Sequence, residues 1–279
     1  MAVTIAGRRM RKLRGPVSGL IGLACLLAIG AGTAVAGDAW HPVPVNVWDP
    51  PFNAERARRA EDYRPLEAAS DKWRVCVLIP HLKDAYWLAV NFAVVDEARR
   101  LGVGFSIYSA GGYEHLERQR EQFNECLAES PDGILLSAVS LDGLNDLVAV
   151  AAGQGVPVVD LINGVSAPEI SARIGVDFWD MGAAVGRYLA ELPATDDQPV
   201  RVAWLPGPAG AGWVDAADDG FRQAIVGQEI EIVAALNGDT GIAAQRALVD
   251  EALDSHPGGV SHVLGTAVTA EAAVGALRE

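Results

Sequence analysis

The sequence predicts an exported α/β protein of two lobes, each an open parallel sheet with helices on both faces, the second lobe incomplete. Three observations carry that reading. A cationic and then apolar leader ends in a small-residue cleavage pattern. From residue 73, short β-branched runs alternate with amphipathic stretches. The alternation breaks once, near residue 175, and then resumes.

In the leader, Arg8, Arg9, Arg11, Lys12 and Arg14 precede an apolar run over 20–29, and Ala34-Val35-Ala36 closes the segment. The run is too short for a comfortable membrane span, so residues 1–36 read as a Sec-type signal peptide, with no membrane insertion after its removal. Two other exports fit less well. The flanks of Arg8-Arg9 do not match a twin-arginine signal, and Gly22 stands before Cys25 where a lipoprotein signal usually has Leu. The whole chain carries a formal charge of −14; the leader takes five cations and no acid with it, leaving −19 on the mature part. A body that acidic repels phosphate backbones, which excludes nucleic acid as a partner.

Residues 37–71 do not read as a domain. Pro42, Pro44, Pro50, Pro51 and Pro65 interrupt them, and Trp40, Val43, Val45, Val47 and Trp48 alternate with polar or proline neighbours. The expectation is an extended arm across the folded body, with its tryptophans docked in grooves.

The first lobe is expected over 72–175. Residues 74–79 form a strand candidate bounded by Pro80. A helix over 86–101 carries Leu88, Phe92 and Val95 on one stripe. Strand 104–108 leads to a helix over 114–129 with Leu116, Phe123 and Leu127 on one face. Strand 133–137, helix 141–152 and strand 157–161 follow, so four strands in a row feed a parallel sheet. After strand 172–176 the rhythm breaks. Asp177 can cap a helix whose apolar stripe is Met181, Ala184, Val185, Tyr188 and Leu192.

The second lobe is expected over 176–279. A proline-bounded connection, 193–199, precedes strand 200–205 and a helix over 214–226. Strand 231–235 with helix 241–255, and strand 262–265 with helix 269–278, continue the pattern. The last helix reaches Glu279 with no cap and no closing strand, which is why the second lobe is expected to be incomplete.

Much catalytic chemistry is missing from the sequence. The five histidines show no metal-ligand spacing, no cysteine cluster exists, and there is no nucleophile elbow and no H-E-x-x-H. No cofactor is expected. The run Gly207-Pro208-Ala209-Gly210-Ala211-Gly212 lies where a phosphate loop would, yet it lacks the Gly-Lys-Ser/Thr ending and reads as a glycine turn.

What remains sits just past the ends of strands, where open α/β sheets bind ligands. Asp84, Tyr86 and Trp87 follow the first strand, Tyr113 the second, and Asp177, Phe178 and Trp179 the seam. Aromatic residues are 6% of the chain, so five at three strand ends point to a site. Electron-rich rings hold a small ligand with a buried positive centre, such as a trimethylated nitrogen, by up to about 2 kcal/mol per desolvated ring. Asp84 would meet its polar end. The other reading of these rings is lobe packing.

Cys76 and Cys126 are the cysteines left after the leader. In a sheet ordered 2-1-3 the second helix crosses the first strand, which would let them bridge a loop of about 50 residues, worth about 4 kcal/mol in the chain-entropy model. Two buried thiols acting as small apolar groups are the alternative.

These motifs resemble a known family. Lys83-Asp84-Ala85-Tyr86-Trp87-Leu88, Ala110-Gly111-Gly112-Tyr113, and Arg173-Ile174-Gly175-Val176 with Met181-Gly182 and Gly186-Arg187-Tyr188-Leu189 carry the likeness. So do Leu205-Pro206-Gly207-Pro208 and Gly220-Phe221-Arg222-Gln223-Ala224-Ile225. They are similar to the TorT-like receptors for trimethylamine N-oxide (TMAO), of the type I, ribose-binding-like periplasmic binding fold. Where that family has P-W-F-Q-M-G, this chain has Asp177-Phe178-Trp179-Asp180-Met181-Gly182, with the tryptophan one position later. The resemblance implies a TMAO receptor in the periplasm, working with the outer domain of a TorS-like sensor histidine kinase. It implies pocket rings at Tyr86, Trp87, Tyr113 and the 178/179 pair, Asp84 as polar contact, and family cysteines at 76 and 126. One rival keeps the fold and binds a ribose-like sugar through Asp84, Asp177 and Asn91, for an ABC transporter or chemotaxis. Another is a hydrolase using Asp84 and His81.

Overall fold

The computed structural model describes residues 41–48, 58–192, 199–256 and 259–276. The leader 1–36, Trp40, most of the 193–199 connection and residues 277–279 lie outside them. Among the described residues, no helix is long and apolar enough to cross a membrane.

The first sheet has five parallel strands: β3 (Arg74–Ile79), β4 (Gly104–Ser109), β5 (Gly133–Leu136), β6 (Val158–Leu161) and β7 (Ala172–Ile174), in the order β4-β3-β5-β6-β7. Alternation along β3 explains why both faces are covered. Cys76 and Leu78 join Ile134 and Leu136 beneath Phe123 of α2 (Leu116–Ala128) and Leu147 and Val148 of α3 (Asn145–Gly153). Val77 and Ile79 point the other way, onto Trp87, Val90 and Val94 of α1 (Ala85–Leu101). Cys126 of α2 is joined to Cys76 in a disulfide, with 6.1 Å between their Cα atoms. Both cysteines are buried in the first core.

The second sheet is smaller. β8 (Val200–Gly207) lies between β10 (His262–Gly265) and β9 (Ile230–Asn237), all parallel. It too is covered on both faces. Ala203 and Leu205 pack with α6 (Ile242–Asp254) and α7 (Ala267–Ala276), while Val202 and Trp204 pack with Leu189 of α4 (Phe178–Glu191) and Phe221 of α5 (Gly212–Ala224).

Two helices present a different face to the core from the one their largest apolar residues mark. On α1 the stripe of Leu88 and Phe92 faces outward, Phe92 being 70% exposed. The helix carries a second apolar row, running from Trp87 through Val90 and Val94 to the buried Ala98, and that row meets the sheet. On α4 the expected stripe holds in part: Val185 and Leu192 pack on the second core, but Met181, Ala184 and Tyr188 are exposed, and Gly182, Ala183, Gly186 and Leu189 are the buried residues. The cause is close contact between helices. A Cβ on Gly182 would lie 1.9 Å from the Ala217 carbonyl oxygen, and one on Gly220 of α5 would lie 2.0 Å from that of Trp179. Backbone therefore meets backbone, and small residues select the buried face.

The arm contains an antiparallel ribbon, β1 (Val43–Val47) with β2 (Arg59–Tyr63). Arg58 lies over the ring of Trp48 at 4.4 Å and pairs with Asp177 at 2.7 Å, the residue that caps α4. Farther along, Arg100 of α1 donates to the carbonyls of Leu66 (2.6 Å) and Glu67 (3.3 Å). The arm is thus tied to α4 at one point and to α1 at another.

The α4–α5 contact makes a direct prediction. Gly182→Ala must force the helices apart, and overpacking of this kind destabilises by about 1–3 kcal/mol. Thermal unfolding should show a melting temperature lower by several degrees; an unchanged midpoint would contradict the contact.

Candidate functional site

Loops leaving the carboxyl ends of the two sheets face each other. In each sheet a strand early in its lobe, β3 or β8, lies between two neighbours, which is where open α/β sheets form a binding crevice. The loop after β3 supplies His81, and the first turn of α5, the helix that follows β8, supplies Trp213.

His81 is fully buried between the lobes. Its Nδ1 accepts the backbone N–H of Lys83 at 3.2 Å, so the ring proton belongs on Nε2. Nε2 lies 2.8 Å from the hydroxyl of Thr240, which in turn donates to Asp84 at 3.0 Å. The other oxygen of Asp84 accepts the N–H of Trp87 at 2.9 Å and caps α1. Thr240 comes from the loop after β9, so this chain of bonds crosses from one lobe to the other and back. Beside it Lys83 reaches Asp239 at 2.5 Å. Burial lowers the pKa of His81 below its ordinary 6.5, against the opposing pull of Asp239 and Asp84; Lys83 adds to the lowering and Glu114 opposes it.

Aromatic rings adjoin this chain. Trp87 is 3% exposed and Tyr113 8% exposed. His81 stands edge-on to Tyr113 at 5.6 Å and to Trp87 at 6.3 Å. Tyr113 meets Trp213 at 6.2 Å, and Trp213 meets Phe178 at 5.7 Å. Around them Ala110, Tyr113 and Val139 of the first lobe pack with Ala211 and Val214 of the second. The backbone N–H of Leu141 donates to the Gly210 carbonyl at 2.9 Å, a further bond across the crevice.

The hydroxyl of Tyr113 lies 3.2 Å from Nδ2 and 3.4 Å from Oδ1 of Asn163, a buried residue whose Nδ2 also donates to the Ala138 carbonyl at 2.8 Å. Burial pushes the Tyr113 phenol well above its ordinary pKa, so it stays protonated. Asn163 is delivered by a tight three-residue turn. Its N–H bonds the Leu161 carbonyl at 2.9 Å around Ile162, whose φ is +74°. A β-branched residue in that region costs about 1–3 kcal/mol. Asp160 secures the loop by accepting from the backbone of Val165 (2.9 Å) and the side chain of Arg173 (2.6 Å). This gives the Arg-Ile-Gly-Val run a local task.

The seven residues singled out in the sequence are placed as follows. Trp87, Tyr113 and Phe178 belong to the ring cluster. Tyr86 is 53% exposed and touches the cluster only through the edge of Trp87, at 5.5 Å. Trp179 is 38% exposed, and its carbonyl is the one pressed against Gly220. Asp84 has both oxygens engaged, by Trp87 and Thr240. Asp177 caps α4 through the N–H of Asp180 at 3.1 Å and holds Arg58. Sequence reasoning did not place His81, Asn163, Trp213 or Thr240 among the binding residues. Trp213 carried a legible signal, an aromatic residue directly after a glycine turn at a strand end. Among the described residues, no group of His, Cys, Asp and Glu could hold a metal ion.

A sequence profile described as periplasmic binding proteins and sugar binding domain of LacI family matches residues 72–279. The chain belongs to the periplasmic binding protein family. Within it, the chain is similar to Periplasmic protein TorT of Escherichia coli K12, 38% identical over 236 residues, 81% of this chain and 66% of the relative. The chain thus spans about two thirds of the length of the curated relatives it matches. It also resembles a solved solute binding protein of an ABC transporter from Bradyrhizobium sp. BTAi1 with bound Bis-Tris, at 45% identity. That match covers 86% of this chain and 72% of the other, with a TM-score of 0.66. The complex of the TorS sensor domain with TorT, solved with and without TMAO, matches at 32% identity over 74% of this chain and 69% of that one, TM-score 0.61. A galactofuranose binding protein at 19% identity and TM-score 0.68 shares the fold.

The buried histidine yields a prediction with a definite sign. A folded-state pKa below 6.5 means that the folded chain binds the proton less readily than the unfolded one. Stability is therefore lost as pH falls below about 6.5 toward the folded pKa of His81. Titration of the ring by NMR should give a midpoint under 6.5, and a midpoint at or above that value would refute the buried neutral ring.

Proposed function

We propose that the mature chain is a periplasmic receptor that closes its two lobes around TMAO and displays the closed form to the outer domain of a TorS-like sensor histidine kinase. The observation that carries this reading is the ring cluster of Trp87, Tyr113, Trp213 and Phe178, drawn from both lobes and meeting at the strand ends. Rings of this kind attract the positive, methylated face of a trialkyl nitrogen. The polar groups beside them are largely engaged with one another, which suits a ligand with little hydrogen-bonding capacity better than a sugar. The likeness to TorT, and to the solved complex of TorT with a sensor domain, supports the same ligand and partner.

Closure supplies the signal. A ligand shifts a two-state equilibrium by as much as its affinities for the two states differ. A ligand that touches Tyr113 on one lobe and Trp213 on the other favours the arrangement that brings both to it. To enter, it must part those rings. No bond is made or broken, so the chain is a receptor and not an enzyme.

A second reading has its own support. The Bradyrhizobium relative is a solute binding protein of an ABC transporter, and Bis-Tris is a tertiary amine. Under that reading the same cluster would hold a substituted amine for uptake.

Titration calorimetry on the chain decides between ligands. We expect heat from TMAO and none from ribose; heat from ribose alone would overturn the proposal. Replacing Tyr113 by Leu removes one ring and should weaken TMAO binding by about 2 kcal/mol, roughly 25-fold. Capture of a TorS-type sensor domain by the chain, measured with and without TMAO, separates signalling from uptake.

A further inference from the structure

We propose that the outer edge of β4 receives an extended segment of another protein, one that alternates apolar and basic residues, as an added strand of the first sheet. The inference is independent of the ligand reading, because no residue of the ring cluster takes part. β4 ends its sheet, with β3 on one side and, among the described residues, no strand on the other. Its backbone groups divide between the two sides. The N–H of Gly104 bonds the Trp73 carbonyl at 2.8 Å and that of Ala110 bonds the Ile79 carbonyl at 3.1 Å, so the even-numbered residues face β3. Phe105, Ile107 and Ser109 therefore turn theirs outward. The Ser109 carbonyl agrees with this phase: it accepts from the side chain of Gln122 at 2.9 Å, which closes that end. The groups of Phe105 and Ile107 are left open.

An open edge is a template for pairing, and proteins usually guard it with a short strand, proline, charge or a bulge. The other edges of this protein carry such guards. β7 has three residues and β10 has four. The register of β9 slips twice along β8. β1 contains Pro44, and β2 contains Arg59, Glu61 and Asp62. β4 has six residues, Gly-Phe-Ser-Ile-Tyr-Ser, with no charge, no proline and an unbroken register. Nothing in its sequence discourages an added strand.

The two faces beside the edge specify the occupant, because side chains of an added strand alternate between them. On the α1 face stand Phe105, 36% exposed, and Ile107. On the α2 face Tyr108 and Ser106 both donate to Glu129, at 2.8 and 3.0 Å. Those bonds hold the Glu129 carboxyl below its ordinary pKa, so it stays charged at neutral pH. Glu125, which also pairs with Arg118, adds negative charge near the Tyr108 hydroxyl. Beside Glu129 a cavity of about 160 Å³ opens at the start of the strand, lined by Arg74, Cys76, Phe105, Ser106 and Pro131. The guanidinium of Arg74 is turned to the Ser130 carbonyl at 2.9 Å. A basic side chain on this face meets Glu129, and an apolar one on the other meets Phe105 and Ile107. A second copy fits worse. Pairing β4 with itself about a two-fold axis would set Glu129 against its own image, on two bodies that are both strongly acidic.

The test follows two labelled peptides, Val-Lys-Val-Lys-Val and Val-Glu-Val-Glu-Val, on the mature chain by fluorescence anisotropy. The lysine peptide should bind about tenfold more tightly at low salt, and high salt should shrink the difference. Phe105→Pro removes an outward N–H and no bond to β3, and should weaken lysine-peptide binding about tenfold. Phe105→Ala keeps that N–H and should lose less. Glu129→Gln should bring the two peptides within about threefold of each other. No binding of the lysine peptide, or equal binding of both by wild type, would overturn the proposal. So would self-association of wild type that Phe105→Pro abolishes in sedimentation velocity, since the edge would then belong to a second copy. Should Phe105→Pro not fold, amide signals of 15N-labelled wild type decide the matter. Those of Phe105 and Ile107 should move with the lysine peptide while those of Ser106 and Tyr108, bonded to β3, hold; a uniform response, or none, overturns the assignment.

Discussion

The chain of bonds from Lys83 through His81 and Thr240 to Asp84 sets the terms on which the lobes can meet. A buried imidazole and a buried carboxylate are tolerated only when their hydrogen bonds are complete. Here Thr240, from the opposite lobe, stands between them. Bringing the lobes together with the wrong offset would strip Thr240 from Nε2 of His81 and from one oxygen of Asp84, leaving each group only its bond within the first lobe. Apolar contact among Ala110, Tyr113, Val139, Ala211 and Val214 supplies attraction without much direction, and the polar chain supplies the direction. The same requirement fixes Trp87 nearby, because Asp84 also caps the helix that carries it.

Rigid support behind the rings follows from ordinary packing. Trp87 rests on Val77 and Ile79, the face of β3 opposite the disulfide. Tyr113 is steadied by Asn163, held on a turn that places Ile162 in a conformation such residues rarely adopt. That turn persists because Asp160 and Arg173 bind the loop on its far side. Local strain is accepted there, and the outcome is an amide side chain aimed at the hydroxyl of a crevice tyrosine.

Much of this was legible in the residues. The alternation of β-branched runs with amphipathic stretches marks β3 at its observed ends, and the 2-1-3 order that would let Cys126 reach Cys76 is the order the sheet adopts. Trp87 and Tyr113 stand out because scarce aromatics fall at strand ends. The buried faces of α1 and α4 were not legible, for one reason in two forms. Large apolar residues mark a stripe, but what packs is decided by the partner surface: a second apolar row on α1, and bare backbone on α4. Thr240 and Asn163 were hidden because their meaning depends on residues 156 and 50 positions away. No periodicity encodes such a pairing.

The ribbon near the amino end has a mechanical consequence. One of its anchors is the carboxylate that begins α4, and another is a guanidinium near the end of α1. Those helices belong to different lobes, so the ribbon spans the joint like a cord fixed at both sides. Any rotation that widens the crevice changes the distance between its fixings, and one of them must yield or the cord must shift. In a receptor that closes on a ligand, as proposed above, parting the buried rings would load this ribbon on the outside of the molecule through those two fixings.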